Sequence, residues 1–401
     1  MKILRPQRRI QSRIKKRYFG SFLTSKRVVF AVSIIILSSI LFFLVRFVRS
    51  QVQELQNLSF SSSNQDGLRD DMHSVSYSSG DVFTLLVITE ERVNERDVIG
   101  GFVLIRVDMT SHSAALMSIH PELAIPLQYV PGMPVTALNL STAKIRDLSV
   151  IGDLQIEPIP LAYPFYQLQE LFAVPIDGYV VFPPGVAENI GPLSGMDAPS
   201  KSVGGLKDYQ EWGSAWEDYW VNYLRSLSVM KIWMNRDIVP QIESNMNVVD
   251  MYAFASDFAS LPEESVETLV PPSEVAVKMI DERGEQVNGI QISSVDSMLE
   301  GLGRDNRMDR EQARIEIFNG TDIDGWGGRY ERWVKHLGGE VIRVKNAPQQ
   351  RDGTVIYVTD REEYAYTVSR ISSLWENVEL VEGRPDFITT GDIIVLLGVD
   401  F

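Results

Sequence analysis

Residues 82–119 read VFTLLVITEERVNERDVIGGFVLIRVDMTSHSAALMSI. Three apolar runs of strand length, VFTLLVI, GGFVLIRVD and AALMSI, are separated by polar turns, and their apolarity predicts strands at the centre of a sheet rather than at its edge. Helical patterns follow in YQLQELF (166–172), in the long WGSAWEDYWVNYLRSLSVMKIWM (212–234) and in NVVDMYAFASDF (247–258), with another strand at GYVVFP (178–183). Strands interleaved with helices predict an α/β domain over residues 81–261, a central sheet flanked by helices. In the long helix Trp212, Trp216, Tyr219, Trp220 and Tyr223 recur at helical spacing, so they are expected to pack on the sheet rather than face a sugar or lipid.

Downstream, PPSE (271–274), DERGEQ (281–286) and EGLGRDNRMDREQ (300–312) punctuate a charged passage, and residues 262–311 read as a linker with one short strand, VAVKMI. Residues 312–401 give strand ARIEIFN, a helix from Trp326 to Leu337, strands EVIRV and TVIYV, a helix from Arg361 to Leu374 and strand DIIVLL. That order predicts a small two-layer α/β domain.

Upstream, the Ser-rich residues 49–80 read as a flexible stalk. Val28 to Val45 form 18 consecutive residues without charge, long enough to cross a bilayer. The run ends in Arg46, Phe47, Val48 and Arg49 rather than in the small residues of a cleavage site, so residues 28–48 are expected to be an uncleaved transmembrane helix. Residues 1–50 hold 12 Lys or Arg and no Asp or Glu, whereas the remaining 351 residues carry 26 basic against 53 acidic side chains. Basic flanks resist translocation, which predicts a cytoplasmic segment 1–27, one pass of the plasma membrane and an acidic body outside. Topogenic and lipid contacts account for the basic leader, so no nucleic-acid partner is expected. The absence of cysteine excludes thiolate metal sites and Cys nucleophiles, and the four histidines form no i, i+4 pair.

The C-terminal segment resembles the LytR C-terminal domain in the order and spacing of IEIFNGT (315–321), Gly325 ahead of a helix, HLGGEVIRV (336–344), TVIYV and DIIVLLGVDF (392–401). Residues 82–260 resemble the LytR-CpsA-Psr (LCP) family. VPIDGYVVF (174–182) and GVAENIGPL (185–193) stand for its strand and following helix, LLVITEER (85–92) for its first site loop and ALMSIHPEL (115–123) for its second. This resemblance implies transfer of an anionic glycopolymer from a polyprenyl-pyrophosphate carrier to peptidoglycan or another envelope acceptor. Such chemistry builds negative charge on phosphate oxygens, which divalent metal and guanidinium groups stabilise.

The chain departs from the family pattern at those loops. Where the family has Gly, a small residue, Asp, a small residue and Arg, this sequence has Ile88, Thr89, Glu90, Glu91 and Arg92; the family's next Arg, Ser and Asp fall on Val98, Ile99 and Gly100. In the second loop Ser118, Ile119, His120, Pro121 and Glu122 replace Ser, Ile, Pro, Arg and Asp, and the later helix offers only Arg225 and Lys231. The resemblance then leaves Glu90 and Asp97 as metal ligands, with Arg92, Arg106 and Glu122 as the catalytic group. Each lost donor to developing phosphate charge costs about 10² to 10³ in rate. The expectation is therefore a degenerate envelope protein without a resident cofactor, binding a glycopolymer, a polyprenyl carrier or a protein partner. The alternatives are a divergent magnesium-dependent phosphotransferase and a regulator acting through residues 1–27. Three smaller features have structural readings: His120 shapes a turn before Pro121, the glycines of GGFVLI turn the chain before a strand, and Asn319-Gly320-Thr321 turns it after one. Ser118 and His120 lack any nucleophile-elbow context.

Overall fold

The computed structural model describes Arg46 and residues 75–78, 82–127, 142–149, 162–186, 206–227, 237–272, 275–280, 284–299, 305–375 and 378–399. The expected membrane span, 28–48, lies outside these apart from Arg46, as do residues 1–27; among the described residues no helix is long and apolar enough to cross a membrane. All the elements below belong to one compact unit, Ser59–Phe401.

The 82–119 stretch forms β1 (Val82–Val93), β2 (Arg96–Asp108) and β3 (Ser113–Met117), an antiparallel meander. Two short strands follow, β4 (Ala124–Pro126) and β5 (Thr142–Lys144), and then β6 (Gly178–Phe182), β7 (Glu243–Ser244), β8 (Val266–Leu269), β9 (Ala276–Ile280) and β10 (Gln286–Ile290). The main sheet runs β7-β6-β1-β2-β3-β8, with β6 parallel to β1 and β8 parallel to β3, so the meander lies at its centre as its apolarity predicted. A smaller sheet runs β5-β4-β10-β9.

Helices α1 (Ala162–Phe172), α2 (Leu206–Ser226), α3 (Val248–Ser260) and α4 (Ile292–Leu299) cover both faces of the main sheet. Alternation along β1 and β2 divides the core. Leu85, Val87, Val103 and Ile105 meet Trp216 and Trp220 of α2 and Phe254 and Phe258 of α3. Leu86, Ile88, Phe102 and Leu104 meet Leu168 and Phe172 of α1, Val295 and Leu299 of α4, and Ile125 and Ile290 of the smaller sheet. The aromatic stripe of α2 is thus core: Trp212, Trp216, Tyr219 and Trp220 are all buried.

Three expectations need correction. Gly100 and Gly101 do not turn the chain before a strand; they lie inside β2, where Thr89 pairs with Gly101 and Glu90 with Ile99, leaving Gly100 as the extra residue of a bulge. A Cβ on Gly101 would stand 2.7 Å from the Trp216 ring, whose Nε1 donates to the Phe102 carbonyl at 3.2 Å, so close packing requires glycine there. The end of the expected stalk is docked: Val75 bridges to Met246, and the Tyr77 ring packs edge-on to Phe83 and Phe254 while its hydroxyl donates to Asp257 at 2.8 Å. Residues 262–311, read as a linker with one strand, supply an edge strand to the main sheet (β8), a hairpin of the smaller one (β9 and β10), α4 and the short helix α5 (Asn306–Glu311).

The C-terminal body has β11 (Arg314–Asn319), α6 (Trp326–His336), β12 (Glu340–Asn346), β13 (Val355–Val358), α7 (Ala365–Ser372), β14 (Glu379–Glu382) and β15 (Ile393–Leu397), with the sheet ordered β12-β11-β15-β13-β14. Trp326 and Val334 of α6 and Val368 and Ile371 of α7 cover one face, against Ile317, Ile356 and Val395. The two-layer expectation holds with one added strand, β14. The expected turn at Asn319 is present: its Oδ1 accepts from the amide and hydroxyl of Thr321, and its amide donates to the Ile323 carbonyl.

Side chains of α6 also close the end of α1. Arg332 donates to the Glu170 and Leu171 carbonyls at 3.1 and 3.2 Å, His336 Nδ1 donates to the Phe172 carbonyl at 2.7 Å, and Arg332 forks onto Asp296 of α4. These carbonyls are the acceptors a helix leaves unsatisfied at its C-terminus, where positive charge is also favoured.

Candidate functional site

β3 delivers the chain into Ser118-Ile119-His120-Pro121-Glu122-Leu123, which turns back on itself through a Leu123 amide bond to the His120 carbonyl at 2.9 Å. His120 therefore shapes a turn before Pro121. Its ring is 4% exposed and lies 4.5 Å from Trp212 and 4.8 Å from Tyr209, centroid to centroid. Nδ1 accepts the Glu122 amide at 3.1 Å, which puts the neutral ring's proton on Nε2. Burial outweighs the nearby Glu122 and lowers the His120 pKa to about 4, so the ring is uncharged at neutral pH. It makes no substitute for an arginine.

The loop is stapled to residues 142–147. The Ile145 amide donates to the Leu123 carbonyl at 3.1 Å and the Arg146 amide to the Pro121 carbonyl at 2.9 Å. This places Lys144 and Arg146 on Glu122, with Lys144 Nζ 2.9 Å from one carboxylate oxygen and Arg146 on the other. Burial favours the neutral carboxyl, but hydrogen bonds from Arg146 and Lys144 prevail and hold Glu122 below the ordinary range. Arg146 also stands 3.8 Å from Asp147 and feels Glu91. Two cations thus face three carboxylates.

Behind the loop Ser118 meets α2. Its amide donates to Glu217 Oε1 at 3.0 Å and its hydroxyl to the Gly213 carbonyl at 3.3 Å. Glu217 has no exposed surface, and burial raises its pKa to about 8 against the weaker pull of Ser118, so it is a neutral acid at pH 7. Glu217, Lys144 and Arg146 were not singled out in the sequence. An acid on the apolar stripe of α2 is a local signal for Glu217; Lys144 and Arg146 reach Glu122 only through the β4–β5 pairing.

The five expected site residues do not converge. Arg92 and Asp97 oppose each other across the β1–β2 hairpin and form an exposed bidentate pair at 2.8 and 2.9 Å. Glu90 is within electrostatic reach of Arg92, and Glu91 of Arg146. Arg106 pairs with Thr84, six residues along β1 from Glu90, a separation of about 20 Å at strand rise. It lies on the sheet face that carries Leu104, buried, its pKa lowered to about 10 by that burial and by Arg370. Arg225 donates to the Leu261 carbonyl at 3.3 Å, ending α3, and Lys231 lies outside the described residues. Among the described residues no three acids or histidines come together as a metal site.

Residues 312–401 match the family model described as LytR cell envelope-related transcriptional attenuator. The C-terminal body is a LytR C-terminal domain, as IEIFNGT and DIIVLLGVDF implied. No curated protein matches the chain. Solved structures similar to it include Bacillus subtilis TagV, with a TM-score of 0.42 and 11% identity over 55% of this chain and 95% of that one. The Bacillus subtilis protein described as transcriptional regulator yvhJ scores 0.40 with 10% identity over 55% and 95%. TagT, described as bound to LIIa-WTA, scores 0.35 with 11% identity over 60% and 95%.

Proposed function

We propose that this chain, with its LytR C-terminal domain, is a cell-envelope protein whose first body keeps an LCP-like loop framework for binding rather than for phosphoryl transfer. The observation that carries the reading is the Glu122–Lys144–Arg146 cluster: its two cations are taken by Glu122, with Glu91 and Asp147 adding further negative charge. A phosphate approaching it meets cations already paired with carboxylates, and electrostatic stabilisation is the largest resource of such a reaction. The partner class follows from the family resemblance: an envelope glycopolymer, alone or on its polyprenyl carrier. The apolar run Val28–Val45 supports attachment to the plasma membrane by one helix, with residues 1–27 inside and the acidic body outside.

Lys144 and Arg146 also favour a second reading, a magnesium-dependent transferase in which Glu122 gives way to substrate phosphate. One experiment separates the two. The full chain with magnesium and a polyprenyl-pyrophosphate glycan is expected to retain the lipid on a binding assay without releasing phosphate, and Glu122→Gln, which removes the carboxylate that Lys144 and Arg146 share, to tighten retention without starting turnover. Magnesium-dependent phosphate release lost in Arg146→Met would establish the transferase instead.

A further inference from the structure

The C-terminal sheet has a second apolar face. Helices α6 and α7 cover the first; on the other, Phe318, Val355, Ile394 and Leu396 are buried in a cluster that contains no helix residue. Two loops cover it instead. Residues 347–354 are tied to the end of β11 by the Ala347 amide on the Asn319 carbonyl at 2.7 Å and the Arg351 amide on the Gly320 carbonyl at 2.9 Å. Residues 383–390 are tied to β11 by Thr390, whose amide and hydroxyl donate to the buried Glu316 at 3.2 and 2.8 Å, and by the Phe387 ring, edge-on to Phe318 at 4.9 Å. Between the loops lies a cavity of about 930 Å³, lined by Val355, Tyr357 and Leu396 and reaching Glu379 on the edge strand β14. That volume is at the upper end of ligand sites, and walls pinned to the sheet make the cavity preformed.

The lining narrows the occupant. Tyr357 and Phe387 are half-buried, so each gives the cavity part of an aromatic ring. Around them the side chains of Gln349, Gln350, Arg351 and Asp386 and the Tyr357 hydroxyl have no hydrogen-bond or ion-pair partner among the described residues. Amide, guanidinium, carboxylate and phenol together supply donors and acceptors. The fixed charges are Arg351 against Asp352, Glu379 and Asp386, so a polyanion is repelled. A cationic segment would meet the acids but oppose Arg351, and a lipid tail or apolar peptide would bury the amides without partners. An uncharged polyol answers all three demands: its C–H faces lie against the rings, and its hydroxyls both donate and accept.

We propose that this cavity holds a neutral glycan chain, its sugar rings against Tyr357 and Phe387 and its hydroxyls on Gln349, Gln350, Arg351 and Asp386. The assignment is independent of any binding or turnover at the His120 loop. Calorimetric titration of the full chain with chitotetraose and with cellotetraose tests it. At least one of the two is expected to bind with a Kd of about 1 mM or tighter, and polyphosphate and pentalysine at least about tenfold more weakly. Tyr357→Ala, which removes a ring from the lining, should weaken the oligosaccharide about tenfold. Gln349→Ala/Gln350→Ala changes only exposed positions whose side chains hold nothing in the fold; it should weaken binding at least about fivefold while the melting temperature stays unchanged. No heat with either oligosaccharide, tighter binding of polyphosphate or pentalysine than of both, or undiminished oligosaccharide binding in the glutamine variant would each overturn the proposal.

Discussion

At the scale of single residues, the His120 loop and its support hold two groups, Glu217 and His120, that titrate between about pH 4 and 8 with opposite effect. Glu217 binds a proton in the folded state up to about pH 8 against an ordinary 4.5, so its contribution to stability is complete below 4.5 and is lost as pH rises to 8. His120 refuses a proton down to about 4 against an ordinary 6.5, so its contribution is complete above 6.5 and is lost as pH falls to 4. Between 4.5 and 6.5 the two slopes oppose; above 6.5 only Glu217 acts, at no more than about 1.4 kcal/mol per pH unit. Thermal melts of Glu217→Gln are therefore expected to be flat from pH 6.5 to 8 and to gain stability with pH below that. Relative to the wild type, His120→Gln should lose stability as pH rises from about 4 to 6.5 and keep a constant difference above 6.5. Equal profiles for the wild type and Glu217→Gln would rule out a buried neutral acid. This pair also marks what single residues reveal in sequence: His120 before Pro121 announces a turn, whereas the partners Lys144 and Arg146 lie beyond 20 residues of intervening chain and give no local sign.

At the scale of elements, β1, β2, β3, β13 and β15 were legible because strands covered on both faces are written as continuous apolar runs. β8 (VETL) and β14 (ELVE) were not, because each lies at the edge of its sheet and carries acidic side chains, one in β8 and two in β14. The paired glycines were misread for another reason: a bulge inside a strand and a turn before one demand the same residue. Their neighbours tell them apart. Gly101→Ala drives a Cβ to within 2.7 Å of the buried Trp216 ring and is expected to cost about 1–3 kcal/mol in denaturant unfolding. Gly100→Ala brings a Cβ still closer to its neighbour, Glu91 Cγ, but that half-buried side chain can swing away where the Trp216 ring cannot, so it should cost less. A reversed order would place the tight contact on the wrong glycine.

At the scale of the whole molecule, two α/β bodies were legible from the strand and helix order, but the manner of their joining was not. Arg332, His336 and Arg329 all come from the polar side of α6, a pattern any solvated helix would show, yet they grip α1 and α4. Arg332→Met removes a fork onto Asp296 and two charged bonds to carbonyls, and each such bond is worth about 1.5–3 kcal/mol. Its unfolding, followed by calorimetry, is expected to split into two transitions where the wild type shows one. A single sharp transition in the variant would mean that the bodies are coupled by other contacts. Because α1 finishes on donors lent by a later domain, a gene shortened to end before residue 312 would make a protein whose helix terminus is bare. Such a fragment will need a borrowed cation, or a redesigned stop at Ala173, before its behaviour can be taken for that of the parent.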